Sequence, residues 1–420
     1  MNLTCVDCSR EYDADADRTR CDCGGLLDVT LPLSDEIDRG TFDQRLGTWA
    51  KPDVSGVWRY RELLPTFADQ HIATKPEGNT NLYDARTLAQ WLGIDQLWLK
   101  HEGENPTGSF KDRGMTVATS HALKVGARMV ACASTGNTSA SVAAYAAEAG
   151  LPAVVFVPDG KISPAKLGQT VAYGARIVQI RGDFDAAMTL VQQASAELGI
   201  YLLNSINPYR LEGQKTILFE LLHQLEWRLP DWIILPGGNL GNSSALGKAL
   251  AELQQTGALS HLPRMAVIQA EGASPFYEAF RSDFRSFEPM EANTIASAIQ
   301  IGNPVSYSKA RRAIELTDGV VESVTDDEIL DAKARIDQSG IGCEPASAAT
   351  VAGLQKLVHS GVIGRGDSVA GILTGHLMKD SDAVMTYHLG DAAADRPLAN
   401  RPVVIDPTMD ALREVLRDEL

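Results

Sequence analysis

The stretch DWIILPGGNLGNSSALGKALAELQQTG, residues 231–257, reads as one complete architectural unit. The apolar run Trp232–Leu235 is short, unalternating and closed by Pro236, Gly237 and Gly238, as suits a strand buried on both faces. An alanine- and leucine-bearing segment with helical spacing follows. The same theme recurs in RMVACAS (128–134) before TSASVAAYAAEAG (138–150), in PAVVFVPDG (152–160) before SPAKLGQTVAYG (163–174), and in RIVQIRG (176–182) before DFDAAMTLVQQASAELG (183–199). Apolar strands alternating with helices define an α/β chain whose mostly parallel sheet is covered on both faces. Such sheets bind ligands where strand carboxyl ends meet helix N-termini, so those loops are where chemistry is expected.

The bulk numbers narrow the chemistry. A length of 420 residues leaves room for roughly two or three domains, and 44% hydrophobic with 22% charged residues is ordinary for a globular protein. No apolar run approaches the ~18 residues of a membrane span, and the amino end lacks the basic and apolar regions of a secretory signal. A cytoplasmic protein is expected. The net charge of −16, from 54 acids against 38 Lys and Arg, repels a polyphosphate backbone and argues against nucleic acid as partner. A local pocket for a small anion remains compatible with it. HExxH, EF-hand and GxSxG patterns do not occur, so metal and serine hydrolysis lack their usual parts.

Four loops carry candidate chemistry. In ENPTGSFKDRG (104–114), Ser109 and Asp112 fit a capping box, which puts Lys111 in the first turn of a helix. The positive end of the helix dipole disfavours an ammonium there, and a cationic setting favours the neutral amine that attacks a carbonyl. In STGNTSAS (134–141), backbone N–H groups and the hydroxyls of Ser134, Thr135, Thr138 and Ser139 make a nest for a carboxylate, with Asn137 free to bond a neighbouring oxygen. In PGGNLGNSSALGKAL (236–250), Asn239 breaks the GxGxxG pattern and no Walker A is present. The loop therefore suits one phosphate monoester. In NSINPYRLEGQKT (204–216), Ser205, Arg210 and Lys215 form a possible second anion site. Together a nucleophilic lysine, a carboxylate nest, a monophosphate cup and a second anion site describe pyridoxal 5′-phosphate (PLP) chemistry on an amino acid. Thr374, at the end of GILTGHLMKD (371–380), offers a neutral hydroxyl for the pyridine nitrogen.

The motifs NPTGSFKDRG, STGNTSAS, NPYRLEGQKT, GGNLGN, EPASAATVAGL and TGHLMKD occur in an order and spacing that resembles the threonine synthase family, of the tryptophan synthase β-like (type II) PLP fold. The resemblance covers roughly residues 75–385. It implies two open, mostly parallel sheets covered by helices, with a PLP catalytic region at 76–420 and a smaller α/β subdomain at about 110–205 inserted in the larger one. It further implies that Lys111 holds PLP as an aldimine and shuttles protons, that Phe110 flanks the ring and that Asn137 bonds the 3′-oxygen. Gly237, Gly238, Asn239, Leu240, Gly241 and Asn242 would cradle the PLP phosphate, and Thr374 would face the ring nitrogen. Ser134, Thr135 and Thr138 would take the substrate carboxylate. Asn204, Ser205 and Arg210, with Lys215 as a weaker candidate, would take the substrate phosphate. The implied reaction converts O-phospho-L-homoserine and water to L-threonine and phosphate, in a homodimer that binds neither nucleic acid nor membrane. A cysteate synthase acting on phosphoserine is the nearest alternative; a zinc-ribbon binding protein with an inactive body is another. Leu377 and Met378 depart from the family's usual TGHGLKD.

Residues 1–30 stand apart from this body, and 31–75 read as a partly helical lead-in. Cys5-x2-Cys8, twelve intervening residues and Cys21-x-Cys23 resemble a zinc ribbon, four thiolates suiting a closed tetrahedral structural site.

Overall fold

The computed structural model describes all residues except 17, 35, 36, 160–163, 182–189, 192, 196 and 418–420. The helix expected over 183–199 lies largely outside the described residues. Three sheets are present among them. The first, antiparallel, is built from β1 (Asn2–Cys5), β2 (Glu11–Asp13) and β3 (Leu27–Thr30) in the order β2-β1-β3. The largest uses β4 (Leu82–Asp84), β5 (Gln96–His101), β10 (Trp232–Pro236), β11 (Arg264–Ala270), β12 (Val320–Val324) and β13 (Ser368–Leu373). Its order is β12-β11-β10-β13-β5-β4, parallel throughout except for β4, which runs against β5. A third sheet, all parallel, orders β6 (Val130–Ala133), β7 (Ala153–Pro158), β8 (Arg176–Ile180) and β9 (Tyr201–Leu202) as β8-β7-β6-β9. The expected pair of mostly parallel, helix-covered sheets is thus present.

The stretch at 231–257 folds as its pattern dictates. Side chains of a strand alternate between faces, and here both faces are covered. Trp232 and Ile234 join Ala266, Ile268 and Val369 in one core, while Ile233 and Leu235 join Val267 and Ile372 in the core on the opposite side. A fully buried side chain of this type contributes about 1.5–3 kcal/mol, so the central strands anchor the molecule. Register sets residue size as well: Ile234 lies opposite Ala266 and Gly371, and a Cβ at Gly371 would meet Leu99 Cδ2 at 2.9 Å.

One close approach positions the site. The helices Lys111–Lys124 and Pro208–Gln214 touch through glycine, for a Cβ on Gly213 would fall 1.8 Å from the Arg113 carbonyl oxygen and one on Gly114 2.7 Å from that of Arg210. Small residues let the two backbones meet. Arg210 is thereby carried toward the start of the Lys111 helix.

Candidate active site

The loop before Lys111 is pinned to the end of β13. Phe110 donates its N–H to the Thr374 carbonyl and His376 donates to the Gly108 carbonyl, each at 3.0 Å, while Ser109 and Gly375 form an antiparallel bridge. The capping box expected from Ser109 and Asp112 does not form. Phe110, with φ −58° and ψ −14°, occupies the N-cap without a side-chain cap. The Asp112 carboxylate instead accepts from Thr107 N–H at 2.6 Å, Thr107 Oγ1 at 2.7 Å and Ser141 Oγ at 2.6 Å. Those nearer donors explain the difference. Burial pushes the Asp112 carboxyl up to about 6, and the buried Ser109 hydroxyl has no protein partner.

Lys111 Nζ lies 4.2 Å from the Phe110 ring centroid. Its amine is pushed down to about 7, first by burial and then by the charge of Arg210, with Glu344 opposing. Burial, more than the helix start emphasised in the sequence, keeps the amine near neutrality. Arg210, itself pushed down to about 10 by burial, donates Nη1 to the Leu203 carbonyl at 3.2 Å and leaves Nε without a protein partner. A buried guanidinium with an unused donor is an anion site in waiting.

The other loops follow the carboxyl ends of β6, β9 and β10. At STGNTSAS, Ser134 Oγ accepts from Gly136 N–H at 3.3 Å, and the helix Asn137–Ala149 starts without a side-chain cap, leaving first-turn N–H groups for a ligand. At the cup, Gly237 donates to the Ile268 carbonyl at 2.7 Å, and a Cβ on it would meet Val267 Cγ1 at 2.5 Å. A Cβ on Gly238 would lie 2.8 Å from Ile299 Cα. Leu240 adopts the left-handed region at φ +61° to launch the helix Gly241–Gln255, which also lacks a side-chain cap. Asn242, Ser243 and Gln214 each keep a buried side-chain polar atom with no protein partner. Asn239 ties this loop to the Arg210 loop, donating Nδ2 to Ser205 Oγ at 2.6 Å and accepting from Val305 N–H at 2.6 Å. Asn204, in that loop, accepts from Ala133 N–H at 3.1 Å.

Two residues depart from expectation. Lys215, offered as a phosphate ligand, is fully buried and committed to Glu212 at 2.7 Å and Glu252 at 2.6 Å. Glu344, in EPASAATVAGL, has no role assigned by its motif, yet its charge acts on Lys111. Its carboxylate accepts from Asn137 Nδ2 at 3.0 and 3.3 Å, lies 3.5 Å from Thr374 Oγ1, and burial raises its pKa. The available signal was a glutamate, which is not among the preferred N-cap residues, placed immediately before a proline-initiated helix; its side chain makes no cap there. Thr374 Oγ1 also pairs with Ser347 Oγ at 2.9 Å. The unusual Leu377 packs over Gly342, a left-handed residue at φ +69° whose added Cβ would meet Leu377 Cδ2 at 2.5 Å, while Met378 faces solvent.

Near the amino end, the four Sγ atoms of Cys5, Cys8, Cys21 and Cys23 lie within 4.8 Å of one another, with Cys5–Cys23 and Cys8–Cys21 at 3.5 Å. Tetrahedral zinc with ~2.3 Å bonds spaces its sulfurs by about 3.8 Å, so this donor set fits the metal. Gly25 makes room for it: a Cβ there would sit 2.8 Å from Cys5 Sγ.

A buried lysine amine pushed down to about 7 near a second buried cation, in a chain that also offers a glycine-lined helix start suited to one phosphate, is the arrangement of a Schiff-base enzyme that uses a phosphorylated aldehyde. The comparisons agree, for the family model of pyridoxal-phosphate dependent enzymes matches residues 73–375, and the chain belongs to that family. Within it the chain belongs with the threonine synthases. It is 45% identical to threonine synthase of Methanocaldococcus jannaschii over 420 residues, covering 100% of both chains. It is 47% identical to that of Methanosarcina acetivorans, covering 99% of this chain and 98% of the relative. The crystal structure of Escherichia coli threonine synthase shares the fold across 100% of both chains, with a TM-score of 0.71 at 19% identity. The residues present fit PLP: glycines whose Cβ atoms would strike neighbours suit a close-fitting phosphate loop, unpartnered polar atoms line its helix start, and Lys111, its amine pushed down by burial and by Arg210, suits an aldehyde.

Proposed function

We propose that the protein converts O-phospho-L-homoserine and water to L-threonine and phosphate. The single observation that carries this reading is the provision for two phosphates around one lysine: the cup at 237–242 and the unpaired, buried Arg210, whose charge depresses Lys111. A PLP enzyme acting on an unphosphorylated amino acid needs only the first.

When bound, PLP supplies the aldehyde that captures the amino group and the electron sink that acidifies the neighbouring carbon. The chain's residues do the rest. Gly237, Gly238, Asn239, Leu240, Gly241 and Asn242 would hold the cofactor phosphate, Phe110 would flank the ring, Asn137 would bond its 3′-oxygen and Thr374 would meet its nitrogen. Thr374 and its partner Ser347 are neutral hydroxyls, which leaves that nitrogen largely unprotonated. Ser134, Thr135 and Thr138 orient the substrate carboxylate. Asn204, Ser205 and Arg210 hold the substrate phosphate, and Lys215 drops out because its charge is already satisfied. Lys111 Nζ, its pKa pushed down to about 7, would take a proton from the α-carbon and, once it has passed that on, another from the β-carbon as phosphate leaves the γ-carbon. It would give one proton to the γ-carbon, which becomes the methyl group, and one back to the α-carbon as water adds its hydroxyl at the β-carbon, the water's own proton leaving on the phosphate. The released phosphate, still on Arg210, serves as acid or base for that water.

The same reading holds zinc on Cys5, Cys8, Cys21 and Cys23 as a structural ion, takes the body at about 110–205 as the inserted subdomain, and places the enzyme in the cytoplasm as a homodimer. Among the described residues no helix is long and apolar enough to cross a membrane. Purified protein with PLP should release phosphate from phosphohomoserine and form threonine in equal amount. Phosphate release from phosphoserine with sulfite, in place of this, would sink the assignment.

A further inference from the structure

The amino-terminal ribbon grips the catalytic body at two places. Along β3, Lys309 Nζ reaches the Leu27 carbonyl at 2.7 Å and Asp28 Oδ1 at 2.6 Å, Arg312 Nη2 reaches Asp28 Oδ2 at 3.1 Å, and Lys248 Nζ donates to the Val29 carbonyl. The second grip comes from the span between the two cysteine pairs. There the buried Ala14 carbonyl accepts from Tyr209 Oη and from His121 Nε2, the latter at 3.0 Å, and Asp15 pairs with Lys124 at 2.6 Å. The His121 ring lies flat on the Tyr209 ring, centroids 3.6 Å apart and planes 13° apart, and its Nδ1 meets Tyr201 Oη at 2.6 Å. His121 belongs to the Lys111 helix, and Tyr209 immediately precedes Arg210.

This contact bears on an under-tethered side chain. Among the described residues the Arg210 side chain makes one hydrogen bond, to the Leu203 carbonyl, and its Nε has no partner, so its reach is set chiefly by where its backbone is held. The neighbouring anchor is Tyr209, and the anchor's other end is a ribbon carbonyl. Cys5 and Cys8 before Ala14, and Cys21 and Cys23 after it, are the groups a metal would join, closing the loop that presents that carbonyl. If the loop opens, Tyr209 Oη and His121 Nε2 lose a buried acceptor, and leaving such donors unpaired costs enough to shift the turn that carries them.

We propose that the metal-closed ribbon is a clamp on the substrate-phosphate site, with Tyr209 and His121 as the positioning residues that transmit it to Arg210. The proposal rests on reading Arg210 as the substrate-phosphate ligand. It makes metal occupancy of the ribbon a determinant of substrate affinity, separate from cofactor binding.

The test uses full-length protein loaded with PLP, so that the cup is filled and inorganic phosphate reports on Arg210. Phosphate affinity is measured by calorimetry for the zinc-loaded protein, for Tyr209→Phe, for zinc-stripped protein and for zinc-stripped Tyr209→Phe, with Arg210→Ala as reference. Tyr209→Phe and zinc removal should each weaken phosphate about tenfold and raise KM for phosphohomoserine alike. The kcat and the absorbance band of bound PLP should hold. Combining the two should weaken phosphate no further than zinc removal alone, since opening the loop already breaks the Tyr209 contact that the substitution removes. Affinities within twofold of the zinc-loaded protein in both single arms, or losses that multiply to about a hundredfold, overturn the clamp. Arg210→Ala should abolish phosphate binding in either metal state. If it binds as tightly as the unmodified protein, the Arg210 site is itself refuted, an outcome distinct from a clamp that fails while Arg210 still matters.

Discussion

Lys111 and Arg113 share the first turn of one helix, yet the protein surrounds their charges in opposite ways. The Arg113 guanidinium, fully buried, meets Glu102 at 2.6 Å and Glu220 at 2.9 Å, and Glu220 also holds Lys100 at 2.6 Å. Burial works against its charge, but the two carboxylates overcome it and hold Arg113 above its ordinary value. Lys111 has no such partner: Glu344 acts on it but is spent on Asn137, and Arg210 repels it. Two cationic side chains two positions apart are thus treated differently, Arg113 matched by carboxylates and Lys111 left short of one. The lesson concerns pairing, because buried charge that stabilises a fold is matched, while buried charge that does work is left short of a partner.

The largest effect should come from the unmatched side. Lys111→Ala should lower turnover at least about 1,000-fold, since both covalent attachment and proton transfer are lost. Its thermal midpoint should hold or rise, as no ion pair is removed. A large fall in the midpoint would mean that Lys111 is structural, like Arg113. On the matched side, Glu102→Ala removes one of the two carboxylates on Arg113 and leaves it sharing Glu220 with Lys100, which should cost about 3–5 kcal/mol of stability in chemical denaturation. Activity of the fraction still folded should fall far less than in Lys111→Ala.

What could be read in advance follows the same division. The alternation of apolar strands and helices gave the sheets, because burial on both faces leaves a signature in every strand, as in Trp232–Leu235. Lys111 stood out since its loop joins a strand region to a helix with glycine and proline beside it. The Arg113 network stayed illegible: Glu220 comes from a distant part of the chain, and Lys100 and Glu102, though near Arg113 in sequence, read as surface charges until the fold brings Glu220 to them. Asp112 misled as a cap because Thr107 and Ser141 compete for it only in three dimensions. The ribbon's grip on Tyr209 runs through a backbone carbonyl, Ala14, which has no side-chain signature at all.

A third measurement sharpens the contrast through pH. In cofactor-free protein, Lys111 titrates at about 7 when folded against 10.5 as the reference value. Between those values the unfolded chain binds the extra proton, so stability rises with pH across that window. Below about 7 both states are charged and the cost of burying the ammonium is felt in full. Lys111→Met should therefore stabilise the cofactor-free protein by about 2–4 kcal/mol at pH 6, allowing for partial exposure of the side chain, and by little above pH 10.5. A gain independent of pH would assign the effect to packing.

The smallest effect isolates burial from pairing. Arg365 Nε sits 3.0 Å from Asp95 Oδ1, much like Arg113 and Glu102, but with side chains 82% and 60% exposed. Water already solvates both partners, and the Asp95 N–H bond to the Arg365 carbonyl, 2.9 Å, survives a side-chain substitution. Arg365→Ala should thus change stability by less than about 0.5 kcal/mol, and the remainder should vanish in 1 M salt, where screening acts within ~3 Å. A loss above about 1 kcal/mol would mean that contact geometry alone sets the strength of such a pair, and the distinction between Lys111 and Arg113 would then rest on partner count alone. A loss near zero leaves burial as the condition under which having or lacking a partner decides what a charge does.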